Sequence, residues 1–173
     1  MTALRVAPSP SHAINYWLMK SEPQTFGIDQ LARAPRQTAG WDGVRNYQAR
    51  NMLRDEFRAG DHAFFYHSSC PQPGIYGVVE VVRAGHPDPT QFDPDSAHYD
   101  AAADPSDPRW YQVEVRLLAK FPRPVTLATL REHAQGPLRN LALLRRGNRL
   151  SVMPVSVDEW KFIHRLARDS HPS

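Results

Sequence analysis

From Trp110 to Lys120 the chain alternates, with Tyr111, Val113 and Val115 on one side and Gln112, Glu114 and Arg116 on the other. A period of two suits a half-buried β-strand, because successive side chains on a strand leave opposite faces. Further short apolar runs at residues 16–20, 62–67, 75–82 and 151–155 read as strands of the same sheet. The second and third are joined by a loop with two prolines, Pro71 and Pro73, and a glycine, Gly74, which predicts an antiparallel pair. Helical signals fall between the strands. Residues 28–34 form a short helix stopped by Pro35, and residues 47–57 place Ala49, Met52, Leu53 and Phe57 on one face. Thr126 caps a helix running through Ala134, and Ser156-Val157-Asp158-Glu159 is a capping box ahead of Trp160, Ile163 and Ala167. Five or six strands with helices inserted between them predict an α+β fold built on a curled mixed sheet, not a βαβ winding.

A chain of 173 residues is one domain with room for a core of its own. We expect a flexible tail over residues 1–15, a domain over 16–168 and a short tail over 169–173. Pro8, Ser9, Pro10 and Ser11 break the first segment, which does not read as a secretion signal. No apolar run approaches the roughly 20 residues of a membrane span, so no membrane partner is expected. One cysteine excludes an intramolecular disulfide framework and fits a reducing cytoplasm. The formal charge of +3 permits nucleic-acid binding without a heavy basic load. A grip on a few phosphates, with something else being read, fits that balance.

Residues 41–51, Trp-Asp-Gly-Val-Arg-Asn-Tyr-Gln-Ala-Arg-Asn, carry the densest functional signal. Asp42-Gly43 is a turn dipeptide, and Asn46 can cap the helix that follows. Trp41 therefore reads as a loop residue ahead of a helix N-terminus with Arg45 and Arg50 nearby. That arrangement suits a flat ligand carrying phosphate, such as a nucleotide. Each residue also has a plainer reading: core packing for Trp41, a cap for Asn46, solvated surface for the arginines. Lys20 and Ser21 end one strand, while Tyr66, His67 and Ser68 end another, so their polar groups emerge at one edge of the sheet. Tyr66 fits either a second aromatic wall or the core, and His67 fits a hydrogen-bonded structural histidine. Asp93, Asp95, His98 and Asp100 lack the spacing of a calcium or zinc site and read as turn and cap residues. We expect no metal, cofactor or catalytic residue. Residues 84–109 hold five prolines and six aspartates, a long loop of the kind that is functional or disordered.

The 41–51 segment resembles the signature of the EVE domain family. So, in order, do Tyr16-Trp17-Leu18-Met19-Lys20-Ser21-Glu22-Pro23, Phe64-Phe65-Tyr66-His67-Ser68, Gly77-Val78-Val79-Glu80-Val81, Arg109 through Val115 and Leu150 through Val155. Together the motifs span nearly everything from Tyr16 to Ala167. The resemblance implies a PUA-like β-barrel, related to YTH and ASCH domains, that binds DNA or RNA and reads a modified base without enzymatic turnover. It implies that Trp41 stacks on the base, as a tryptophan at the comparable junction does in YTH domains. Lys20, Ser21, Asn46, Tyr66, His67 and Ser68 would then line the base site, with Arg45 and Arg50 on phosphate. The alternative is a nucleobase amidohydrolase of ASCH type, which uses a lysine, a threonine and a glutamate. Lys20 and Glu22 keep that idea open, although the threonine has no motif match. Oligomeric state is left open.

Overall fold

The computed structural model describes residues 13–169, so the expected tails fall largely outside the described residues. In chain order the elements are β1 (Tyr16–Ser21), α1 (Pro23–Phe26), α2 (Ile28–Arg33), β2 (Thr38–Gly40), α3 (Tyr47–Asp55), β3 (His62–His67), β4 (Gly74–Pro87), β5 (Tyr111–Thr126), α4 (Leu127–Glu132), β6 (Val152–Val155) and α5 (Val157–Asp169). The strands form one six-stranded sheet in the order β2-β5-β4-β3-β1-β6. Only β1 and β3 run parallel, and every other neighbouring pair is antiparallel. The sheet curls but does not close: β2 and β6 are its edges.

The curl comes from β4 and β5, whose pairing register shifts at four places. An extra residue on one strand bends it and raises the local twist. Burial does not alternate along these strands, because both faces of the sheet are covered. Val78 and Val79 are adjacent yet both buried, one in each core, and Gln112 is buried where the period of two placed it on the solvent side. Both strands also run longer than expected, because Gly74–Pro87 and Tyr111–Thr126 extend past the apolar cores that announced them.

Each face of the sheet buries its own core. Trp17, Met19, Ala63 and Phe65 point to the face covered by α3, which contributes Ala49, Met52 and Leu53. Leu18, Phe64 and Tyr66 point to the other face, covered by α4 and α5. There Trp160 stacks on Phe64 with ring centroids 3.9 Å apart. Each fully buried large side chain contributes about 1.5–3 kcal/mol by leaving water. The expected caps form. Asn46 Oδ1 accepts from the Ala49 N–H at 2.9 Å, and Thr126 Oγ1 accepts from the Thr129 N–H at 3.1 Å. In the capping box, Ser156 Oγ accepts from the Glu159 N–H while Glu159 Oε1 accepts from the Ser156 N–H. No helix among the described residues is long and apolar enough to cross a membrane.

Candidate nucleic-acid interface

Where β1 ends, Pro23 sits at the first position of α1, and that single turn carries Phe26 out over the sheet end. The β2 edge arrives opposite it and delivers Trp41. Between them opens a cavity of about 890 Å³, walled by Ser21, Thr25, Phe26, Trp41, Asp42 and His98, with Asn46 at its rim. That is ample room for one nucleobase with its sugar.

Trp41 follows β2 directly, in the loop ahead of α3, yet it is buried. Its N–H donates to the Val113 carbonyl at 2.7 Å, continuing the β2–β5 ladder, and its side chain is 5% exposed. The ring meets Phe65 edge-on at 5.1 Å and Phe26 at 6.0 Å with an 83° interplanar angle. The loop position agrees with the sequence reading, and the ring takes its plainer alternative, core packing against Phe65 and Phe26. Even so, Trp41 lines the cavity. No protein acceptor is seen for its Nε1 among the described residues, which leaves the indole N–H available to a ligand. Phe26 and Trp41 thus make a right-angled aromatic corner that offers a flat ring both a face and an edge.

The opposite wall comes from the long loop, which is ordered. Gln91, fully buried, donates to the Asp88 and Trp110 carbonyls, and its Oε1 accepts from the Arg109 and Trp110 N–H groups. Asp88 is the hub. Its Oδ1 accepts from the Thr90 N–H at 2.8 Å and hydroxyl at 2.6 Å, and its Oδ2 from the Gly43 N–H at 2.8 Å and Arg45 at 3.0 Å. Burial pushes the Asp88 carboxyl up, but the hydrogen bonds from Thr90, Gly43 and Arg45 outweigh it and leave the pKa lowered. Gly43 adopts φ 81°, and a Cβ there would lie 2.6 Å from His98 Nε2, so only glycine lets the His98 ring pack over the turn. The Asp93 and Asp100 carboxylates accept from the Asp95 and Ala102 N–H groups, the turn roles expected of them. Asp42 stands next to Asp88, and its surroundings together with that carboxylate raise its pKa.

Several residues expected at the site are elsewhere. Tyr66 is buried on the α5 side of the sheet, opposite Trp41, and cannot form a second wall with it; burial pushes its phenol up to about 12. Phe26 holds that place instead. The Lys20 ammonium lies 6.0 Å from the Tyr66 ring centroid, on the same far side, although Lys20 belongs to the cavity wall. His67 Nε2 accepts from the Ile28 N–H at 3.1 Å and its ring stacks on Tyr76 at 4.0 Å, away from the cavity. Ser68 only pairs its N–H with the Ser21 carbonyl. Ser21 does line the cavity, and its Oγ donates to the Phe26 carbonyl at 2.6 Å, which leaves that oxygen only an acceptor role toward a ligand. Asn46 stands at the rim with its oxygen committed to the cap.

Both arginines have acceptors within the protein. Arg45 donates to Asp88, to Thr90 Oγ1 and to the Val44 and His98 carbonyls, which lock the long loop onto the Asp42-Gly43 turn. Arg50 donates to the Arg109 carbonyl at 2.6 Å and to Asn51 Oδ1. Spacing alone could not reveal that both had protein acceptors. Asp88 and His98 went unrecognised as site residues for a related reason, although Asp88-Pro89-Thr90 carries a turn signal.

His67 gives a test of this placement. Burial lowers its pKa, and burial first, then Arg168, lowers that of His164. A histidine whose folded pKa lies below the unfolded value of about 6.5 contributes stability that is present above that pH and lost as pH falls through the folded pKa. Unfolding free energy from urea titrations should therefore drop between pH 7.5 and 5.5. The His67→Gln, His164→Gln double variant should show a flatter profile.

A sequence model of the EVE domain matches residues 15–166. Mouse thymocyte nuclear protein 1 is 44% identical over 174 residues, covering 92% of this chain and 76% of its own length. The crystal structure of human THYN1 in complex with 5-methylcytosine-containing DNA is similar at a TM-score of 0.86 and 40% identity, covering 91% of this chain and 99% of that one. A Pseudomonas putida protein is similar at a TM-score of 0.83 and 50% identity, over 88% of this chain and 99% of its own. A Zymomonas mobilis ASCH protein, 8% identical at a TM-score of 0.50, shares the fold alone.

Proposed function

This chain belongs to the EVE domain family, with its PUA-like fold, and we propose that within it the chain is a non-enzymatic reader of a modified nucleobase in DNA or RNA. The observation that carries the reading is the cavity with the Phe26–Trp41 corner, sized for a base and open at the end of the sheet. A base unstacked from its strand would rest against the corner, and such a contact is worth about 1–3 kcal/mol whatever the base. Selectivity must then come from edges. The Trp41 indole N–H donates, Ser21 Oγ accepts, and Asp42 suits an exocyclic amino group, as carboxylates do for cytosine. A relative of the same fold holds DNA containing 5-methylcytosine, which supports modified DNA as the ligand class.

We read the chain as a binder because Lys20 and Glu22, although both border the cavity, form no ion pair among the described residues. The Lys20 ammonium is held over Tyr66, and Glu22 precedes α1. The single cysteine suits a reducing compartment, and the proposal places the protein in the cytoplasm. Incubation with total nucleic acid digested to oligonucleotides, followed by mass spectrometry of what is retained and what is released, tests both halves. Retention of one modified nucleotide class, chemically unchanged, is the expected result. Conversion of that nucleotide would establish an enzyme, and retention without enrichment would remove the reader.

A further inference from the structure

Arg45 is held by Asp88, Thr90 and His98, and Arg50 does not line the cavity, so a strand whose base enters it would meet other cations beside it. Residues 133–157 contain no aspartate or glutamate and hold Arg139, Arg145, Arg146 and Arg149. That is a charge of +4 in a chain whose formal net charge is +3. The last three are exposed and form no ion pair among the described residues. They line a second cavity of about 390 Å³ that has no acidic residue in its wall.

This second cavity adjoins the first. Asn46, the cap at the N-terminus of α3, lines both, so the arginines lie across the helix end from the aromatic corner. The loop that carries them is held in shape. Asn148 Nδ2 donates to the Ala142 carbonyl at 2.7 Å, Asn148 Oδ1 accepts from the Leu150 N–H at 2.9 Å, and Gly147 takes φ 77° to make the turn. Three unpaired guanidinium groups on a fixed loop are suited to anions spaced along a chain. The end of α3 adds its partial positive charge where the two cavities meet.

We infer that Arg145, Arg146 and Arg149 form the track for the phosphates flanking the bound base. The inference rests on the reading of the cavity as a base site, and commits to the backbone of one nucleic-acid strand as the occupant. Phosphate contacts position a strand without reading it, so the track sets affinity and salt dependence while the cavity sets preference.

The probes are two single-stranded oligodeoxynucleotides, identical except for one 5-methylcytosine, titrated at several salt concentrations. The Arg145→Ala, Arg146→Ala, Arg149→Ala variant should bind both more weakly. Each lost contact flattens the log–log salt slope by about 0.7, so three flatten it by about 2, or roughly 100-fold in affinity at 0.1 M salt relative to 1 M. The ratio between the two probes should hold. An Arg58→Ala, Arg123→Ala, Arg168→Ala variant removes the same charge from exposed positions that line neither cavity, and should keep the slope. If the loop variant keeps the wild-type slope, or the control flattens it equally, the track is wrong even where the wild type prefers the modified probe. If the wild type shows no preference but the loop variant alone flattens the slope, the track stands and the base-reading proposal falls. No binding to either probe overturns both.

Discussion

Asp88→Ala should cost about 3–5 kcal/mol of stability, the usual range for removing one partner of a buried ion pair. The carboxylate is fully buried and accepts four hydrogen bonds. Its loss leaves the Arg45 guanidinium, only 24% exposed, facing the unpaired Gly43 and Thr90 N–H groups. Asp88→Asn keeps the shape but removes the charge and turns one acceptor into a donor, so its cost should fall between the two. The pH dependence fixes the cause. Because the folded pKa of Asp88 is lowered, its contribution is present above the ordinary carboxylate value of about 3.9 and is lost as pH falls through the folded pKa. The gap between wild type and Asp88→Ala in urea titrations should therefore narrow below about pH 4. A loss under about 1 kcal/mol at pH 7, typical of an exposed pair, would show that the long loop is not held through this carboxylate.

Trp41→Ala should be nearly as damaging, at about 3–5 kcal/mol, since a large aromatic ring leaves a cavity that the sheet and α3 cannot refill. A surface tryptophan would cost far less. Trp41→Phe keeps most of the packing against Phe26 and Phe65 and removes the indole N–H. It should melt close to wild type yet lose preference for the modified base. A Trp41→Ala variant as stable as wild type would contradict the core position.

The strands and long helices were legible because each buries a face large enough to impose its period. Trp160, Ile163 and Ala167 announced α5, and the caps at Asn46, Thr126 and Ser156 announced three helix starts. The site was less legible. Phe26 rides on a four-residue helix and Trp41 directly follows a three-residue strand, both too short for periodicity to register. Tyr66 and Phe65 are neighbours on opposite faces, and only the folded packing decides that Trp41 joins the face of Phe65. Arg45 looked like a ligand-binding cation because its acceptors at Asp88, Thr90 and His98 lie more than forty positions away. Asp88 itself sits in a Pro- and Asp-rich stretch, where a buried hub looks like any other turn residue.

The most direct test of the central claim is the ratio of affinities for matched oligonucleotides with and without the modified base, compared between wild type and Thr25→Trp. Thr25 is exposed on the cavity wall, so an indole there fills the base site without disturbing the core or the arginine loop. The wild-type preference for the modified probe should collapse to parity in Thr25→Trp, with residual binding and the salt slope unchanged. A Thr25→Trp variant that folds normally and keeps the full preference would mean that the base is read somewhere other than the Phe26–Trp41 corner.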